Sequence, residues 1–538
     1  MQAGKIHMKA YLVSFLFSIH LLAFPQTTPP NVILIVADDM GWKDVSYHGS
    51  EIQTPTLDRL ASEGVELNRF YVHPTCSPTR SSLMTGKAAL RLGFLNPLGK
   101  NNVKGLGLSE KIMPQYFKES GYQTALVGKW HLGRYKKEYW PINRGFDHFY
   151  GYLTGGIGHY DHVHGGGLDW QRNGKTLREE AYSTHLLTAE AVKLIEEKPE
   201  HQPLFLEICY SAPHLPNEAP PEAVAQYPDI QDENRRLHAA MVSELDRGIQ
   251  QIYEALERKD LLDNSIIWFT SDNGGLNSSS APEALREGIQ NLTGIFGTPL
   301  PLEFLEFFRQ NMVNGAADNG PFRRGKTSIY EGGVRVPAFI YAPNLLESRK
   351  INARLSINDV LPSLAAAVGF DNFNSQDLDG ANQWDFLSGK TTQASPTNFI
   401  IHAIDAEAYY KDDWKLIIPT DGERELYQLS IDSTESQNVI AQYPEIAVDL
   451  FEEYEAFPRG EVVDDPLWKT FMDMDKFGGE EDRPPYAGLE GINAGPLHPI
   501  YYILPTFFLL LFLFIRWRVK KRRRRKAAKK IKSLPKKQ

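Results

Sequence analysis

The run Val32-Ile-Leu-Ile-Val-Ala37, ending directly in Asp38-Asp39, governs the reading of the chain. Six consecutive apolar residues, most of them β-branched, do not alternate as a half-exposed strand would. They suit a strand covered on both faces, as in an α/β sheet flanked by helices. Similar runs follow at Thr124–Gly128 (TALVG), Leu204–Tyr210 (LFLEICY), Ser265–Ser271 (SIIWFTS) and Val336–Ala342 (VPAFIYA). Between them, Thr54-Pro55 caps and starts a helix that stops at Gly64, and residues 234–258 carry apolar positions at helical spacing. The expectation is an α/β fold over residues 30–385, a mostly parallel sheet sandwiched by helices, with residues 281–315 a partly helical insertion. After 385 the pattern changes to short strands such as NFIIHAI and WKLIIP and the helix-like PEIAVDLFEEYEAF, a smaller C-terminal α+β subdomain over 386–475.

The ends read differently. Residues 1–26 have the basic start and apolar run of a signal peptide. Residues 476–498 read as a linker, 499–515 as a short, uncharged transmembrane helix, and 516–538 as a basic cytoplasmic tail. This predicts a single-pass type I membrane protein of the secretory pathway, anchored through its C-terminal helix, with a lumenal or extracellular body. The tail holds 14 of the 58 Lys and Arg and no acid, so residues 1–515 are more acidic than the formal −9 of the whole chain. Its place against the apolar run points to anionic lipid heads rather than nucleic acid. An anionic substrate would then need a local cationic pocket, since the global field repels it. Two cysteines allow at most one disulfide, and Cys209, inside an apolar run, reads as a small core residue. The sequons at Asn277 and Asn291 predict glycosylated surface loops.

Chemistry collects where the apolar runs end. Val32–Ala37 delivers Asp38 and Asp39, TALVG runs into Lys129 and His131, LFLEICY is followed by Ser-Ala-Pro-His214, and SIIWFTS gives Asp272 and Asn273. Carboxyl ends of strands are where open α/β sheets bind ligands. Asp38, Asp39, Asp272 and Asn273 offer hard oxygen ligands, and three close carboxylates need a cation among them, so calcium or magnesium is implied. For Asp38-Asp39 alone, a helix N-cap and a solvated acid is the plain alternative. In Cys76-Ser-Pro-Thr-Arg80, Pro78 suits the first turn of a helix and puts Cys76 at its N-terminus with Arg80 one turn on. A phosphatase-like thiolate fits poorly because the arginine is too close, and a buried structural cysteine would not need the arginine.

Cys76-x-Pro-x-Arg80 resembles the signature of the sulfatase family, in which the cysteine is oxidised to Cα-formylglycine. VADDMGW (36–42), GKWHLG (128–133), RGFDHFYGYL (144–153), SAPHLP (211–216), SDNGG (271–275) and RRGKTSIYEGGVRVP (323–337) extend the resemblance over about residues 30–460. The blocks look most like the arylsulfatase B (N-acetylgalactosamine-4-sulfatase) branch, implying an alkaline-phosphatase-like fold. The resemblance further implies calcium held by Asp38, Asp39, Asp272, Asn273 and the modified Cys76. Arg80 would orient the formylglycine, and His131 would take a proton from its hydrate. Lys129, His214 and Lys326 would bind the sulfate ester or stabilise the departing oxygen. A sulfated sugar as substrate and a formylglycine-generating enzyme as maturation partner come with it.

Two other readings are open. A phosphomonoesterase or phosphonate hydrolase of the same superfold would use the same metal-bound nucleophile, and a glycan-binding ectodomain would use none of it. The cluster His159-Tyr-Asp161-His162-Val-His164 could line a sugar site or hold a second metal, but its glycine-rich setting reads as a flexible substrate loop or a plain surface loop.

Overall fold

The structure is a computed structural model that describes residues 29–99, 102–164, 167–280, 283–297, 309, 315–370 and 373–464. The expected signal peptide (1–26), linker (476–498), transmembrane helix (499–515) and tail (516–538) lie outside the described residues.

One large sheet organises the body. Its strands run in the order Arg335–Val336, Val65–Tyr71, Ala338–Tyr341, Ser265–Ser271, Asn31–Ala37, Leu204–Cys209, Gln123–Lys129, His148–Tyr152, Gln171–Arg172 and Lys175–Thr176, with Arg349–Ser356 added beside Val65–Tyr71. The centre is parallel: Asn31–Ala37 pairs on one side with Ser265–Ser271 and on the other with Leu204–Cys209, which pairs in turn with Gln123–Lys129. Every residue of Asn31–Ala37 is buried, and its side chains divide by parity. Val32, Leu34 and Val36 enter one core with Leu83, Met113, Phe117 and Leu361. Ile33, Ile35 and Ala37 enter the opposite core with Leu57, Leu187, Leu245 and Ile249. Helices therefore cover both faces, which is why the run has no polar alternation. Each of these Val, Ile and Leu side chains contributes about 1.5–3 kcal/mol by its burial.

The expectation of a mostly parallel sheet is corrected at the flanks, where the sheet is mixed. Ala338–Tyr341 runs antiparallel to Ser265–Ser271, and Gln171–Arg172 antiparallel to His148–Tyr152. Apolar runs such as VPAFIYA carry no mark of direction, and the 66 residues between Ser271 and Ala338 are long enough for either a parallel or an antiparallel return. A second correction concerns the anchor. Among the described residues no helix is long and apolar enough to cross a membrane, which corrects the expectation of a transmembrane helix, a membrane partner and a type I topology.

Helix Pro55–Glu63 starts at Pro55 and ends at Gly64 as expected, but Thr54 does not cap it with its side chain, whose hydroxyl instead donates to Asp58 Oδ1 at 3.0 Å. Helix Glu233–Arg258 begins at Asp232, whose side chain accepts a hydrogen bond from the Arg235 backbone N–H at 2.8 Å and so satisfies one free donor of the first turn. Residues 399–428 form a separate antiparallel sheet of four strands, followed by helix Pro444–Ala456. Within the insertion, Glu283–Phe296 is helical. Asn291 is exposed but sits on that helix rather than in a loop, and Asn277 is half-buried at an isolated bridge to Ala316.

Candidate active site

The parallel register does the first part of the assembly. Ala37 pairs with Ser271, so Asp38 and Asp272 leave adjacent strands side by side although 234 positions separate them in the chain. Asp272 donates its N–H to Ala37 O at 3.0 Å, and Asp38 donates its own to Ala212 O at 3.1 Å. Asp39 takes a left-handed backbone (φ 70°), an uncommon conformation for a residue with a side chain that is often found at functional sites. Helix Cys76–Thr85 comes in against these ends with all ten residues buried, Cys76 being its first. Asp38, Asp39, Cys76 and Asp272 then present ligand atoms within 4.8 Å of one another, all buried.

Each carboxylate has a cation. Arg80 donates from Nε and one terminal nitrogen to Asp272 Oδ2 at 3.1 and 2.8 Å, and from the other to Lys129 O at 3.0 Å. Lys129 Nζ contacts Asp38 Oδ1 and Oδ2 at 2.9 and 2.8 Å. Lys326 Nζ contacts both Asp39 oxygens at 2.6 Å and lies 3.9 Å from Cys76 Sγ. His214 Nε2 stands 3.7 Å from Asp39 Oδ2. Every residue singled out from the sequence as a ligand or reactive group thus lies in this cluster or against it, His131 through its neighbours: its carbonyl accepts from Ser77 Oγ at 2.9 Å, one residue beyond Cys76.

The placement depends on close backbone approaches. Gly128 has φ 109°, and a Cβ there would fall 1.8 Å from Cys209 O of the adjacent strand, so only glycine lets that strand deliver Lys129. Gly155 and Gly156 lie so near the rings of His131 and His214 that a Cβ would stand 2.6 and 2.8 Å from their Cε1 atoms.

Charge crowding sets the protonation states. Burial, and then Asp272, push the Asp38 carboxyl up to about 8. Burial acts the same way on Asp39 and Asp272, but Lys326 and His214 outweigh it at Asp39 and Arg80 and Lys129 at Asp272, holding both below the usual carboxylate range. Burial and Asp272 push the Cys76 thiol up to about 12, so as a plain cysteine it is a protonated thiol and a poor nucleophile at neutral pH. Burial and the Lys129 charge hold His131 neutral. Its Nε2 faces Leu98 O at 3.0 Å, which requires the proton on Nε2 and leaves a lone pair on Nδ1. That Nδ1 has no hydrogen-bond partner among the described residues.

The donor set suits a hard divalent cation. Asn273 donates Nδ2 to Asp39 Oδ1 at 2.7 Å and to Gly274 O at 2.9 Å, which leaves Oδ1 buried and without a hydrogen-bond partner among the described residues. An orphaned amide oxygen beside three carboxylates fits calcium or magnesium. The soft sulfur of an unmodified Cys76 is the one donor that does not.

Reading residues alone missed the His159 region. His159 and His162 are buried, at 0% and 1% exposure, while Tyr160 and Asp161 between them are exposed, so the segment lies at the surface but turns these two histidines inward, and no second metal-binding group occurs among the described residues. Asp44 was missed as well. It accepts from Gly41 N and His238 Nε2 at 2.8 and 2.9 Å and pairs with Arg235, pinning the turn that carries Asp38 and Asp39 to helix Glu233–Arg258. The acid six residues after Asp38 was its only local signal.

The comparisons agree with this geometry. Arylsulfatase J of Mus musculus is 35% identical over 389 residues, 70% of this chain and 59% of its own length. N-acetylgalactosamine-6-sulfatase of Homo sapiens is 31% identical over 377 residues, 66% of this chain and 65% of its own length. The chain thus spans less than two thirds of either relative. A crystal structure of Ps i-CgsB in complex with k-i-k-neocarrahexaose superposes with a TM-score of 0.70 at 27% identity, covering 83% of this chain and 97% of that one. These relatives do not single out the arylsulfatase B branch. The profile of the family described as "Sulfatase" matches residues 30–370, and with that match the chain belongs to the sulfatase family.

Proposed function

We propose that the protein is an arylsulfatase-type sulfuric ester hydrolase that removes sulfate from a sulfated N-acetylgalactosamine, with Cys76 converted to Cα-formylglycine and a calcium ion held by Asp38, Asp39, Asp272, Asn273 and residue 76. The observation that carries this reading is the buried convergence of Asp38, Asp39, Cys76 and Asp272 with Arg80, Lys129 and Lys326 around them. When present, the cation and the formylglycine hydrate would supply an acidified hydroxyl as nucleophile and a second hydroxyl for its regeneration.

The chain's own residues do the rest. Arg80 fixes Asp272 through two donors and cannot lose its proton. Lys129 and Lys326 are held in the charged state by Asp38 and Asp39, against the opposing effect of burial. A bound divalent cation would also draw the proton from Asp38, and with three carboxylates then set against three cations the ion's own charge would leave the pocket positive within an acidic body, as an anionic sulfate ester requires. His131 offers Nδ1 as a proton acceptor. His214 is kept neutral by burial, with a pKa of about 3, and its Nδ1 donates to Leu215 O at 2.8 Å, so its Nε2 is an acceptor and would stabilise the departing sugar oxygen only once protonated, which leaves Lys326 as the standing donor.

The sequence blocks favour the 4-sulfate, whereas the human relative is named for the 6-sulfate. Incubating the protein, produced in a host that converts Cys76, with N-acetylgalactosamine disaccharides sulfated at position 4 or 6 tests the class and the position together. Release of inorganic sulfate from either is expected; hydrolysis of an aryl phosphate with both sulfates untouched would transfer the site to the phosphoesterase reading.

Metal dependence has a readout apart from turnover. Calcium at about 100 times its Kd should stabilise the fold by about 2.7 kcal/mol, raising Tm measurably. Asp38→Asn should abolish that increment. A wild-type melt indifferent to calcium, magnesium and chelator would count against the ligand set.

A further inference from the structure

His159 lies outside the cation cluster, yet all of its hydrogen-bonding groups are engaged. Its N–H donates to Glu218 Oε2 at 2.8 Å, and its carbonyl accepts from Ser183 N at 2.8 Å. On the ring, Nε2 lies 2.9 Å from His214 O and Nδ1 2.9 Å from Ser183 Oγ, which is itself 2.9 Å from Ser211 Oγ. A carbonyl only accepts, so Nε2 carries the proton and Nδ1 accepts from the serine. The contact matters because of where His214 sits. Pro213 and Pro216 supply no N–H to the turn, so its carbonyls must find donors elsewhere. His214 anchors its N–H on Ser211 O at 2.9 Å, and its Nδ1 lies 2.8 Å from Leu215 O. The same loop supplies Gly156, whose missing side chain leaves room for the His214 ring.

We propose that His159 is a positioning residue for His214, fixing the backbone of the Ser211–Asn217 turn while Gly156 sets the ring against it. The claim rests on the functional reading only for His214's part in turnover; the position of its ring is measurable without turnover.

The test compares His159→Phe, which keeps ring bulk but removes the donor, with His159→Gln, whose amide restores a donor. Both are followed by histidine-ring NMR with the His214 signals assigned from His214→Gln, by thermal melting, and by kinetics on a sulfated disaccharide. His159→Phe should shift the His214 ring resonances and lower kcat on the order of 10- to 100-fold with KM within about twofold. His159→Gln should move both back toward wild type. Unchanged His214 resonances in His159→Phe overturn the proposal, as does a loss of rate that follows the loss of Tm and is not recovered by glutamine. Should His159→Phe fail to fold, Ser183→Ala, which removes the hydroxyl that orients the His159 ring, decides: a shifted His214 ring supports the proposal and an unshifted one overturns it. A wild-type protein inert toward sulfate esters would refute the functional reading, while the resonances would still decide this one.

Discussion

Cys76→Ser should abolish multiple turnover, lowering kcat on the order of 10⁴-fold or more. The change is small in volume and conserves the first residue of a fully buried helix, so the fold should survive it. A serine hydroxyl could still attack the sulfur and displace the sugar alcohol, breaking the sulfur–oxygen bond to the sugar and forming one to Ser Oγ. It has no second hydroxyl on the same carbon to expel the sulfate afterwards, so the ester would stay. The expected result is at most one equivalent of sugar released per protein, with a sulfate mass retained on the peptide spanning residue 76. Sustained sulfate release by the serine variant would show that position 76 does not act as proposed. The unmodified cysteine should be equally idle, since burial and Asp272 keep its thiol protonated.

Arg80→Leu should be the most destabilising single change in the site. Asp272 is fully buried, takes both of its short cationic contacts from Arg80, and has Lys129 only at 4.0 Å. Breaking a buried pair by removing one partner costs about 3–5 kcal/mol, because a desolvated charge is left behind. Arg80 also holds Lys129 O, so its loss loosens the strand end that carries Lys129. Thermal melting should show a large fall in Tm for Arg80→Leu, with Arg80→Lys intermediate because it restores charge without the planar fork. A wild-type Tm in Arg80→Leu would mean that the pair does not support the site.

The parts of this site that could be read from the sequence were those attached to strands. A continuous apolar run marks a strand buried on both faces, and the polar residue that ends it is marked by contrast; Asp38, Lys129 and Asp272 stand out for that reason. Their convergence was expected from their shared place at strand carboxyl ends, but the pairing that produces it was not legible. That pairing is the register of Asn31–Ala37 with Ser265–Ser271, between segments more than 200 residues apart. Lys326 follows no strand and has a local meaning only through its block. His159 was misjudged because glycines around a histidine look like a loose loop, whereas its burial depends on Ser183 and His214, 24 and 55 residues away. Strand direction at the sheet flanks was equally hidden, since an apolar run reads alike both ways.

The side chain at position 76 is the group on which the proposed chemistry most directly depends. Mass analysis of the peptide spanning it, from protein that turns over a sulfate ester, should find the aldehyde or its hydrate and no free thiol. Active protein that retains an unmodified Cys76 throughout would contradict it.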